Sequence, residues 1–339
     1  MSVTNESFGT LPDGRDVRLL TLRNKHGFTV QVTNFGVNIV SILVKNRQGN
    51  FIDVSLGYDN LEQYTDNYPM FGATVGRNVN RISNAQFTLD GHQYHLVKNR
   101  GRHNIHSHKE HGFHKVLWDV EISGENAVKF SYTSPDGENG FPGEVRFSIV
   151  YTVTEGDGLL ISYCGVPDRT TILNVTNHNY FNLSGHDSGT INKTQVRINA
   201  DMYTPVDADV IPTGEIRPLA GSALDFCNWK EIGETIADHN YVIRNQHSGM
   251  RKIAEARERS SGIWMELYSD LPGMQFYTSD SLKDCTGKGH TVYRKRNGFC
   301  MEPHYYPDSV NIPAFETPVF DEHHSYQTST LYQFIIWEK

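Results

Sequence analysis

The sequence predicts an all-β chain, a sandwich or barrel of many short antiparallel strands. Three observations carry this: runs that alternate apolar and polar residues, turn signals spaced closely along the chain, and a scarcity of helical patterns. In the segment 28–32, Phe28, Val30 and Val32 face one way and Thr29 and Gln31 the other. The segments 128–132, 145–153 and 263–268 repeat the pattern. Period-two alternation is the mark of a half-buried strand.

Turn signals punctuate these runs. They stand at Pro12-Asp13-Gly14, Arg47-Gln48-Gly49-Asn50, Asp90-Gly91, Pro135-Asp136-Gly137, Glu155-Gly156-Asp157-Gly158, Asp187-Ser188-Gly189 and Pro272-Gly273. The segment 88–94 reads as a hairpin, with Asp90-Gly91 at its turn. Helices are expected only as short pieces at 61–64 and 229–237. No repeat, low-complexity tract or Pro/Ser linker divides the chain, so one domain spanning 1–339 is predicted.

Charged residues at 21% and aromatics at 11% indicate a globular protein, not a disordered one. The formal net charge of −8 disfavours nucleic acid and membrane-surface partners, both of which want a basic face. No run of about 18 apolar residues exists, and the first residues lack the basic and apolar regions of a signal peptide. Cys164, Cys227, Cys285 and Cys300 form no Cys-x-x-Cys pair, so reduced, mostly buried thiols in the cytoplasm are expected.

Four stretches are too polar and too rich in histidine for ordinary connecting loops: 76–82, 104–108, 174–183 and 298–308. If 174–179 is a strand, Asn174, Thr176 and His178 share one face. Alone, His178 reads as a core histidine satisfied by its neighbours. In the last stretch, Phe299 and Met301 alternate with Cys300 and Glu302. Glu302 therefore lies opposite the apolar pair, and Pro303 is expected to end regular pairing there. Alone, Glu302 reads as a surface carboxylate. Together they make an acid–base couple with unperturbed pKa values of about 4.3 and 6.5. Modest shifts would leave carboxylate and imidazole poised as base and acid near neutrality.

From about Val30 to Phe334 the chain resembles the aldose 1-epimerase (galactose mutarotase) family. The resemblance runs through Thr33-Asn34-Phe35-Gly36, the 76–82 stretch, Asn104-Ile105-His106 with Gly112-Phe113, and the 174–183 stretch. It continues through Pro205-Val206-Asp207, Pro212-Thr213-Gly214-Glu215, Leu224-Asp225-Phe226, Asp238-His239-Asn240-Tyr241, the 272–278 run, the 302–308 run with Asn311-Ile312-Pro313, and 326–332. The number, order and spacing of these matches make the resemblance specific. It implies a large antiparallel β-supersandwich, in line with the strand reading. It also implies interconversion of the α and β anomers of a free hexose, D-galactose first and D-glucose next, with no cofactor and no metal. The family's catalytic base falls on Glu302 and its acid on His178. Its sugar-contacting positions fall on Asn80, Arg81, His106, Asp238 and Gln275. Phe276 and Tyr305 are candidates for the aromatic that packs on the sugar.

The chain departs from the family pattern in three places. Ser107-His108 stands where two glycines are usual, Cys227 where an arginine is common, and Pro303-His304 follows Glu302. Other readings have weaker support. His103, His106, His108, His111 and His114 have spacings a zinc site could use, but no cysteine or carboxylate pair completes a motif. A non-catalytic carbohydrate-binding or sensor protein would need no acid–base pair. An epimerase of a hexose 6-phosphate would need several cations converging on the phosphate, and Arg77 and Arg81 are the nearby ones. Maltose remains within the main reading. The expected partner is a small-molecule sugar, with monomer and homodimer both open.

Overall fold

The computed structural model describes residues 1–246 and 248–337. Three antiparallel sheets dominate it. The largest has nine strands, in the order Asp119–Ile122, Ala127–Ser134, Val145–Val153, Gly158–Pro167, Tyr326–Ile336, Ile263–Ser269, Arg251–Arg257, Gln195–Ile198 and Lys230–Glu231. A five-stranded sheet runs Arg217–Pro218, Ala200–Tyr203, Asp238–Ile243, Gly273–Tyr277 and Cys300–His304. The first 53 residues form a second five-stranded sheet of sequential hairpins, from Ser2–Thr10 to Phe51–Asp53. This is the all-β supersandwich expected.

The alternation read in the sequence reappears as burial. Along Val145–Val153 every second residue, from Val145 to Val153, is buried, and Ile263–Ser269 repeats this. Such strands bury one face and leave the other half-exposed. The buried side chains join one apolar cluster that reaches from Leu20 to Phe334 and draws on all three sheets. The hairpin at Asp90-Gly91 forms between Gln86–Leu89 and His92–His95. Both turn residues have positive φ, 50° and 77°, the geometry a two-residue hairpin loop requires.

Two local expectations need correction. The helix at Leu61–Asp66 is present, capped by the Asn60 side chain accepting from the Gln63 N–H at 3.1 Å. The second helix, at 229–237, is not. Lys230–Glu231 pairs with Gln195–Val196 instead, and Gly233 sits at φ 54°, outside the right-handed helical region. Pro303 does not end its strand either. Cys300–His304 pairs with Gly273–Tyr277 throughout, Pro303 lying opposite Met274. The strand lies at the edge of its sheet, where a residue without an N–H leaves no ladder bond unmade.

The five-stranded sheet positions the site. Its last two strands, Gly273–Tyr277 and Cys300–His304, are buried on both faces, Tyr277 alone being partly exposed. Met274, Phe276 and Met301 point into the apolar core. The alternate residues of the same strands point the other way.

Candidate active site

On that second face the register lines up three polar residues from neighbouring strands. Gln275 lies opposite Glu302, and Asp238 lies opposite Tyr277, the next residue of that parity. A separate short strand, Thr176–His178, pairs with Ala73–Val75 and delivers His178 to the same place. Asn80 and Arg81 come from the segment beside it, and His106 from the strand end that pairs with Arg81 through Ile105. All seven residues singled out in the sequence line one cavity of about 320 Å³. That volume is within the range of small-molecule sites.

The contacts form a connected network. His178 Nε2 lies 3.7 Å from Glu302 Oε1, with both side chains buried. Gln275 donates to Asp238 Oδ1 at 2.6 Å, and Arg81 Nη2 lies 3.4 Å from Asp238 Oδ2. Asn80 Oδ1 accepts from the Arg81 backbone N–H at 2.9 Å. The Asn80 N–H donates to His106 Nδ1 at 3.2 Å. Neutral His106 therefore carries its proton on Nε2. Arg81 Nε and Gln275 Oε1 are buried with no protein partner. Buried polar atoms are nearly always paired, and these two orphans belong to residues that line the cavity.

Burial sets the protonation of the couple, and not by modest amounts. Desolvation holds His178 down to about 4. Desolvation, aided by the charge of Asp238 and opposed by Arg81, pushes Glu302 well above the usual carboxylate range. Each neutral form is favoured because neither charge is fully compensated in the low-dielectric interior. The modest shifts expected from unperturbed values are thus replaced by opposed shifts that disfavour the charged form of each group. His106 is also held well below its ordinary value, first by desolvation and then by His178 and Arg81.

The aromatic expectations are overturned. Phe276 is fully buried in the core against Phe226, Tyr241 and Phe299. Tyr305 packs toward Phe320, outside the cavity. The cavity aromatics are Tyr68, Tyr180 and Tyr277. Tyr180 stacks on the His178 ring, centroids 5.1 Å apart and planes 20° apart, and its hydroxyl donates to the Pro69 carbonyl at 3.1 Å. The missed signal was parity. Tyr277 follows Gln275 by two in the same strand, so Tyr277 and not Phe276 shares the face of Gln275.

The histidine-rich segment makes no joint metal site among the described residues. His103 contacts Asp209, His108 packs on His111, and His114 bonds the Lys109 carbonyl. Arg77 is likewise spoken for: its guanidinium donates to Ser134 Oγ and to the carbonyls of Ser134, Pro135 and Pro142. Of the four free cysteines only Cys300 is buried, fewer than expected. Cys227 donates to the Ala200 carbonyl outside the cavity, and His304 does not line it.

Ser107 explains how the chain does without glycine. Its φ is 61°, the left-handed conformation glycine adopts freely. Its hydroxyl accepts from the Asn78 N–H at 2.9 Å and donates to the Asn78 carbonyl at 3.0 Å. Those two bonds offset the strain and tie the segment of Asn80 to that of His106.

The aldose 1-epimerase family model matches residues 18–333. The chain belongs to the aldose 1-epimerase family. Galactose mutarotase of Rattus norvegicus is 39% identical over 345 residues, covering 99% of both chains. Aldose 1-epimerase of Escherichia coli K12 is 32% identical over 344 residues, covering 98% of this chain and 99% of that one. Among solved structures, the aldose epimerase homologue from C. elegans superposes with a TM-score of 0.89 at 26% identity, covering 94% of this chain and 99% of that one. Galactose 1-epimerase from Lactobacillus acidophilus superposes with a TM-score of 0.87 at 21% identity and full coverage of both chains, a likeness of fold. As an aldose 1-epimerase the chain is an isomerase. No described helix is long and apolar enough to cross a membrane.

Proposed function

We propose that this aldose 1-epimerase interconverts the anomers of D-galactose, and of D-glucose, with Glu302 as base and His178 as acid. The observation that carries the assignment is the buried Glu302–His178 pair, 3.7 Å apart, under a wall that offers the unpaired Arg81 Nε and Gln275 Oε1. Glu302 takes the proton of the C1 hydroxyl. His178 gives one to the ring oxygen, and the C1–O5 bond opens. The aldehyde turns about C1–C2 and closes on its other face with the roles exchanged.

One proton leaves the sugar as another enters, so the pair's proton count never changes. That suits two groups which burial forbids from being charged separately. Carboxylate with imidazolium and carboxylic acid with imidazole hold the same number of protons. The Arg81 charge lowers the Glu302 pKa and so draws the pair toward the first form. Asn80, Arg81, His106, Asp238 and Gln275 hold the remaining hydroxyls. No step requires a metal or an organic cofactor. The free thiols suit a cytoplasmic setting, and the shared apolar core suits one domain over 1–339.

Polarimetry of freshly dissolved α-D-galactose and α-D-glucose tests this. Glu302→Gln and His178→Asn should each lower the catalysed rate by about 10²–10⁴-fold, with the fold intact by circular dichroism. Near wild-type turnover in either variant refutes its role. A second reading, a hexose 6-phosphate as substrate, has support in Arg100 and Lys109, which line the cavity mouth. A kcat/KM for glucose 6-phosphate above that for both free sugars would select it.

A further inference from the structure

The proposed mechanism leaves one buried group beside the couple unused. Cys300 precedes Glu302 by two on the same strand and so shares its face. Its Sγ lies 3.6 Å from His178 Nδ1, while His178 Nε2 faces Glu302 at 3.7 Å. One ligand atom each from His178, Cys300 and Glu302 lies within 4.8 Å of the others, and all three residues are buried. Among the described residues no other trio of histidine, cysteine or acidic side chains gathers this closely.

The two short separations involve opposite nitrogens of the His178 ring. With one nitrogen taken, the three ligand atoms lie within 4.8 Å of one another, wider than a closed tetrahedral site. With metal bonds of about 2.3 Å to sulfur and about 2.0–2.2 Å to nitrogen and oxygen, neighbouring ligand atoms stand roughly 3.4–3.6 Å apart. Binding would draw the three ligand atoms together from within 4.8 Å by side-chain rotation. His178 and Glu302 line the cavity while Cys300 is fully buried beside them. A cation held by all three would therefore take its fourth ligand from the cavity side, as in zinc sites with an exchangeable ligand. The donor set of thiolate, imidazole and carboxylate favours zinc and cadmium over magnesium and calcium, which prefer oxygen alone.

We propose that His178, Cys300 and Glu302 form an inhibitory site for a soft divalent cation, zinc or cadmium, bound in competition with the sugar. The cation bonds to Cys300 Sγ, one His178 nitrogen and a Glu302 oxygen. The thiol proton, and any proton on Glu302, leaves to solvent as those bonds form. Bound metal occupies the lone pairs that the proposed base and acid need, so it stops proton transfer outright. The inhibition half of this rests on the acid–base reading above. The binding half does not, because it needs only the three ligands.

Cadmium chloride added to the full-length protein tests binding and inhibition separately. Wild type is expected to gain a thiolate-to-cadmium charge-transfer absorption in the ultraviolet, saturating at one ion per chain. Excess D-galactose should suppress that absorption, and the polarimetric rate should fall to the spontaneous background as it saturates. Magnesium chloride should do neither. Cys300→Ser should lose the galactose-sensitive absorption and weaken inhibition by more than the roughly 10–100-fold that follows loss of an outer-shell partner. Its inhibition is measured against its own metal-free rate. An absorption that persists in Cys300→Ser, or that galactose does not suppress in wild type, assigns the metal to Cys164, Cys227 or Cys285 and overturns the site. Competition by galactose is read on wild type, so the proposal stays testable if Cys300→Ser fails to fold. A galactose-sensitive, Cys300-dependent absorption without loss of rate would sustain the site and count against the roles of Glu302 and His178 instead.

Discussion

Ser107 offers the sharpest test of how the cavity edge is held. Its side chain is fully buried, its backbone is left-handed at φ 61°, and its hydroxyl makes two bonds to Asn78, at 2.9 and 3.0 Å. Ser107→Ala removes both bonds and leaves the Asn78 N–H and C=O without that partner. At about 1–3 kcal/mol for each of the two buried groups left unsatisfied, the loss is about 2–6 kcal/mol. At roughly 2.1 cal/mol/K of unfolding entropy per residue, a chain of 339 residues loses about 1.4 °C in Tm per kcal/mol, so a fall of about 3–8 °C is expected. Ser107→Gly loses the same bonds but is freed from the left-handed penalty of about 1–2 kcal/mol. Glycine gives back about 0.5–1 kcal/mol of that in chain entropy. Glycine should therefore be more stable than alanine by about 0.5–1 kcal/mol, or about 1 °C in Tm, and less stable than wild type. The assay is thermal unfolding of the three proteins followed by circular dichroism, paired with polarimetric kinetics. Because the bonds join the segments carrying Asn80 and His106, KM should rise in both variants by a larger factor than kcat falls. An alanine variant as stable as wild type would show that the hydroxyl carries none of the strain. A glycine variant no better than alanine would show that the backbone is not strained there.

Three further outcomes are expected. His304 is buried, and desolvation holds its folded pKa down to about 4. A depressed histidine contributes stability that is complete above the unfolded value of 6.5 and is lost as pH falls toward 4, about 2 kcal/mol between pH 6.5 and 5. His304→Asn should remove that much of the difference between urea unfolding at pH 7 and pH 5, and an unchanged difference would exclude His304 as a source of acid lability. Tyr180→Leu takes away the ring stacked on His178 and should lower kcat by roughly 2–10-fold, while Phe276→Leu should lower Tm and leave kcat near wild type; the reverse pattern would return the sugar-side role to Phe276. Asp238→Asn removes a charge that raises the Glu302 pKa, so the acid limb of the kcat profile should move to lower pH, with KM rising as Arg81 and Gln275 lose their anchor. A shift to higher pH would be incompatible with Glu302 acting as the carboxylate base.

Much of the site was legible because strand parity is a local property. Once 300–302 is a strand, Met301 and Glu302 must face opposite ways, and the core takes Met301. The same rule applied to 275–277 separates Phe276 from Gln275 and Tyr277, and the aromatic expectation failed where parity was set aside for aromatic character. The joining of Glu302 to His178 came from resemblance, since 124 residues of sequence separate them and nothing local brings them together.

The sequence by itself determined the all-β class, the hairpin at Asp90-Gly91, the family, and the seven polar residues that gather in the cavity. These follow from alternation, turn chemistry and motif order, each contained in a few neighbouring residues. Only the tertiary structure decided the protonation of the couple, the aromatic beside His178, the sealed guanidinium of Arg77, the left-handed Ser107 and the closeness of Cys300 to His178. Each depends on how much water is excluded and which distant chain supplies the partner. Desolvation pushes the Glu302 carboxyl up and the His178 imidazole down, and no local pattern encodes the packing that excludes the water.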